Sequence, residues 1–119
     1  MKTLSALILT VTFIISGSFC NAQTMLKMKD DSGNKYKQAD AEMTRIYKLA
    51  RETCDDAGKE RLKKAQLAWI KYRDLCCEAE GSIYEGGSMS GLAQTNCMIE
   101  VTKERTNRLK AYDAENSWK

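Results

Sequence analysis

No proline interrupts this chain, and four of its seven glycines fall in one stretch, Gly81-Ser-Ile-Tyr-Glu-Gly-Gly-Ser-Met-Ser-Gly91. Without proline, a helix meets neither the lost hydrogen bond nor the ring clash that would end it early. A glycine cluster, by contrast, raises the entropic cost of helix so sharply that helix stops there. Helices on either side of residues 81–91 are the consequence. Ala39, Met43, Ile46, Tyr47, Ala50 and Cys54 recur at spacings of three and four, which predicts a first helix over 39–55, with Gly58 placed to end it in a left-handed conformation. Leu62, Ala65, Trp69, Tyr72 and Cys76 make a second stripe, for a helix over 59–80. Leu92, Asn96, Ile99, Thr102, Thr106, Leu109 and Tyr112 make a third, over 90–116, with Ser90 as its expected N-cap. Short connections between amphipathic helices give antiparallel neighbours. The expected fold is all-α, an up-down-up arrangement of three helices.

Two segments precede the stripes. Lys2 begins a positive n-region, Leu4 to Ile15 form an apolar run, and small residues follow, with Cys20 and Ala22 at the −3 and −1 positions of a cleavage site. That pattern predicts a signal peptide over 1–22. The apolar run is well short of the roughly 20 residues of a bilayer span, and Phe19 directly before Cys20 argues against a lipid anchor. No membrane association is expected after cleavage, and the protein is expected in the periplasm or secreted. Residues 23–38 are polar and contain the turn signal Asp31-Ser32-Gly33-Asn34, so they read as a flexible lead-in to a helical domain over 39–116.

Removing 22 of the 119 residues leaves 97, one domain, with 18 Lys and Arg against 16 Asp and Glu. The basic residues alternate with acids instead of clustering, so nucleic acid is not an expected partner. Both phenylalanines leave with the signal, and a small domain short of large apolar residues benefits from a covalent staple. There is no histidine, the commonest general base and metal ligand. No Cys-x-x-Cys pair suggests zinc. Neither a catalytic role nor a metal or cofactor is expected.

The segment Gln66-Leu-Ala-Trp69-Ile-Lys-Tyr72-Arg73-Asp74-Leu-Cys-Cys77, the loop Gly86-Gly87-Ser88, and Cys97 followed by Thr102, Arg105 and Leu109 resemble the lysozyme inhibitor LprI-like N-terminal domain family. The resemblance covers roughly 39–112 and implies inhibition of host lysozyme; Cys54 and Cys76 depart from the family pattern.

Read for their chemistry, Gln66, Trp69, Tyr72, Asp74, Gly86, Gly87, Thr102 and Leu109 are structural candidates, with Trp69 and Tyr72 expected in the core. Arg73 and Arg105 suit an interhelical ion pair or the anchoring of a partner's carboxylate. Ile83, Tyr84 and Met89 lie in an eleven-residue connection, longer than the usual helix–helix loop, and such loops on rigid scaffolds often bind. Four cysteines allow three pairings. Cys77 lies just before the break and Cys97 about two turns into the third helix, so folding back brings them level. Cys54 sits at the other end of the second helix from Cys76, roughly 25 Å away, too far for a bridge in a straight hairpin. Cys77–Cys97 is the expected disulfide, with Cys54 and Cys76 free or bridged between chains. The expected function is an exported binding module for a protein in the cell envelope or in host secretions, with lysozyme the partner that the resemblance names. A cell-envelope structural or assembly factor is the alternative.

Overall fold

The computed structural model of the protein describes residues 2–114, with side chains over 22–112. Three helices are present, α1 (Lys2–Glu52), α2 (Asp56–Ser82) and α3 (Ser90–Ala114). They run up, down and up. Ser32 of α1 donates to Asn96 of α3 at 2.7 Å and Glu42 meets Lys110 at 3.2 Å, a nearly constant offset that sets α1 parallel to α3. Gln66 against Arg105 and Cys77 against Cys97 run in opposite order, so α2 is antiparallel to both. α3 is the middle element, packed on each of the others, while α1 and α2 touch little.

The core is where the three stripes converge: Met43, Ile46, Ala50, Cys54, Leu62 and Leu109, with Tyr47 and Trp69 packed against it. Leu62 and Leu109 are wholly buried, each contributing about 1.5–3 kcal/mol by removal of apolar surface from water. The Cys77–Cys97 disulfide, with Cα atoms 5.4 Å apart, closes the far end. Cys54 and Cys76 are free.

Four expectations need correction. The lead-in over 23–38 is helical, and the turn signal at 31–34 does not break α1. The three-four phase of α1 continues upstream through Tyr36 to Ser32, which is only 5% exposed and is held by Asn96; a serine is invisible to a search for apolar stripes. Gly58 does not end α1. It lies in the first turn of α2, where its N–H donates to the carboxylate of the N-cap residue Asp55 at 2.7 Å; an N-cap at Asp55 satisfies a helix start better than a glycine satisfies a helix end. Ser90 does not cap α3: its hydroxyl donates to the Gly81 carbonyl at 3.0 Å, and the Met89 carbonyl accepts the first helical bond, from Ala93. The inward face of α2 is also turned from the expected one. Leu62, Gln66, Arg73, Cys77 and Gly81 are buried, and Tyr72 is 59% exposed. Arg73 and Gln66 can take interior positions because partners on α1 and α3 satisfy them. The expected continuation of α3 to Asn116 lies outside the described residues.

Candidate functional site

Between 83 and 89 the chain forms successive turns, with Tyr84 N–H donating to Gly81 O at 3.1 Å and Gly87 N–H to Tyr84 O at 3.0 Å. Two glycines make this possible. Gly86 has φ +80°, a conformation that L side chains rarely adopt. A Cβ on Gly81 would stand 3.1 Å from the Gln94 Cβ and 3.3 Å from the Ser90 carbonyl, so a larger residue would push α2 and α3 apart by a few tenths of an ångström. Among the turns, Ile83 is 75%, Tyr84 48% and Met89 42% exposed. The three loop candidates therefore share one solvent-facing tip, held at its base by the disulfide.

A second cluster lies midway along α2 and centres on Trp69, a half-buried ring facing α3. The Arg73 guanidinium lies 5.1 Å and that of Arg105 5.8 Å from the ring centroid, both within cation–π range. Their surroundings differ. Arg73, its side chain 9% exposed, pairs with Asp40 at 3.3 Å and Asp74 at 2.9 Å and lies 5.7 Å from the Tyr36 ring. Burial raises the Tyr36 pKa above its usual value, and the nearby Arg73 charge partly offsets this. With each of its three nitrogens set against a carboxylate of Asp40 or Asp74, Arg73 is an interhelical clamp. Among the described residues, Arg105 pairs with no carboxylate. Its Nε donates to Gln66 Oε1 at 3.0 Å, Nη2 is buried without a hydrogen-bond partner, and burial pushes its pKa below the usual arginine range. Gln66 in turn donates from Nε2 to the Met43 sulfur at 3.0 Å, which ties the cluster into the core.

Beside this cluster opens a groove of about 270 Å³ between α2 and α3, lined by Trp69, Tyr72, Val101, Glu104, Arg105 and Arg108. Tyr72 forms its rim, its phenol pKa raised first by a hydrogen bond with the Cys76 thiol. Arg108 lies 5.4 Å over the Tyr112 ring. Of the other motif residues, Thr102 and Leu109 are wholly buried. Arg108, Glu104, Tyr36 and Asp40 were not singled out from sequence. The recurrence of 101, 104, 105 and 108 along one edge of α3 was the available signal, masked because those side chains are mostly charged. Among the described residues, no group of three His, Cys, Asp or Glu side chains could hold a metal ion, and no helix is long and apolar enough to cross a membrane.

A disulfide-stapled three-helix scaffold that presents an exposed loop and an aromatic, arginine-lined groove defines a small all-helical protein. Residues 20–109 match the family described as lysozyme inhibitor LprI, and the chain belongs to that family. It is similar to an uncharacterised protein of Rhizobium meliloti (strain 1021), 39% identical over an alignment of 88 residues, with 63% of each chain covered. The match thus spans less than two thirds of that relative's length. No solved structure matches the chain.

Proposed function

We propose that this chain is an exported, non-catalytic protein that inhibits lysozyme-type enzymes by binding them. Membership of the lysozyme inhibitor family carries the reading. The Cys77–Cys97 bridge supports export, since such bridges persist in oxidising compartments. The complete absence of histidine from the sequence supports a role without acid–base catalysis. The exposed tip at 83–89 supplies a contact surface, with Tyr84 an aromatic of the type that dominates interface energetics.

The test is a cell-wall lysis assay with lysozyme and the purified protein. Dose-dependent loss of turnover is expected, with Tyr84→Ala weakening the effect at unchanged helical content. Full lysozyme activity at saturating protein would sink the reading.

A further inference from the structure

A net charge of +3 over the full sequence provides no strong long-range field toward any partner, so specificity must come from local chemistry. The groove beside Trp69 holds an imbalance of that kind. Two guanidiniums, Arg105 and Arg108, line it together with one carboxylate, Glu104. Neither arginine forms an ion pair with Glu104 or with any other acid among the described residues. Arg73, on the other side of the same indole, shows what compensation looks like here, with two carboxylates on one guanidinium. Arg105 has instead a neutral amide at Nε and a buried, partnerless Nη2.

A guanidinium without a carboxylate, partly withdrawn from water, gains strongly from a planar anion that can accept two hydrogen bonds. The walls suit an amino-acid side chain. Trp69 and Val101 give an apolar lining and Tyr72 an exposed aromatic rim. Trp, Tyr and Arg together are the composition of residues that carry protein–protein binding energy. Arg105 and Arg108, three apart on α3, are neighbours on one face.

We propose that this groove is a carboxylate-binding site, and that its occupant is a projecting Asp or Glu side chain of the protein partner. The carboxylate bonds to the exposed Arg108 guanidinium, with the uncompensated charge of Arg105 behind it, while its methylene stem packs on the Trp69 and Tyr72 rings. The identity of the partner rests on the inhibitor reading above; the chemistry of the groove does not.

Calorimetric binding to lysozyme tests both, using the wild-type chain, Arg108→Gln and Tyr72→Ala. Both side chains are largely exposed, so both variants should keep the wild-type circular dichroism and melting. Arg108→Gln should weaken binding by at least about tenfold, as removal of one member of a close charge pair does. Lysozyme whose accessible carboxylates have been converted to amides should bind wild type and Arg108→Gln equally weakly. Undiminished binding by both folded variants would overturn the proposal.

If wild type does not bind lysozyme, the inhibitor reading falls, and an NMR titration with N-acetylglutamate decides the groove alone. Shifts at the Trp69 indole N–H and the arginine Nε–H signals, absent in Arg108→Gln, would support it; no shifts in wild type would overturn it. A concentration-dependent dimer that is lost in Arg108→Gln would also overturn the proposed occupant, by showing a second copy there.

Discussion

At Thr102, on α3, a hydroxyl sits in the interior with its residue wholly buried and its Oγ1 without a hydrogen-bond partner. An unmade hydrogen bond in such a place costs about 1–3 kcal/mol, and the second methyl of a valine would take the place of the Thr102 hydroxyl with little change in volume. Thr102→Val should therefore raise the unfolding free energy, by about 1 kcal/mol, readable from urea denaturation. A loss of stability on that substitution would mean that the hydroxyl has an unseen partner, most simply an ordered water. Trp69 behaves differently. Its ring is shared between the core and the groove and lies against two cations, so truncation removes packing and cation–π attraction together. Trp69→Ala should cost about 2–4 kcal/mol, somewhat less than a fully buried tryptophan.

Between elements, the clearest electrostatic clamp joins α1 to α3 at Glu42. Hydrogen bonds from Arg45 and Lys110 hold its carboxyl down to about 2, from an ordinary 4.5. A depressed carboxyl pKa stabilises the fold above the unfolded value and loses that contribution as pH falls from 4.5 toward 2. The melting temperature of wild type should drop across that window by more than that of Glu42→Gln, and added salt should narrow the difference because the pair is exposed. How legible such elements are from sequence depends on what holds them. The α3 stripe from Leu92 to Leu109 and the bridge between Cys77 and Cys97 were legible, since apolar periodicity and helix geometry dictate both. The α2 face was not: its inward positions include Gln66 and Arg73, polar residues that qualify only through tertiary partners. The part of α1 over 23–38 was hidden for a similar reason, with Ser32 and Tyr36 in the places where aliphatics would have announced a helix. The groove was half legible. Trp69, Tyr72 and Arg105 were singled out, but that Arg73 is satisfied and Arg105 is not follows only from where Asp40 and Asp74 stand in space.

For the molecule as a whole, the order of packing along α1 bears on how the chain is processed. Met28, Asp31, Ser32 and Lys35 face Leu92 and Asn96 of α3; Ala22, Gln23 and Thr24 are exposed. Cleavage after Ala22, proposed here as the end of a signal peptide, would thus leave in place every contact between helices named above. Protein recovered from the periplasm or medium should have Gln23 as its first residue by intact mass. A chain made to begin at Gln23 should melt where the longer chain does. One made to begin at Lys35 lacks the Ser32–Asn96 hydrogen bond and the Met28 contact, and should lose about 1–2 kcal/mol. Reduction of the disulfide should lower the full-length and Gln23 forms together by about 3 kcal/mol through the 20-residue loop it closes; the Lys35 form has lost the Ser32–Asn96 bond beside Cys97, so its response should not be additive. If the Gln23 form melted lower than the longer chain, residues upstream of the cleavage site would be part of the folded bundle. The signal-peptide assignment would then fail on stability grounds before any localisation experiment.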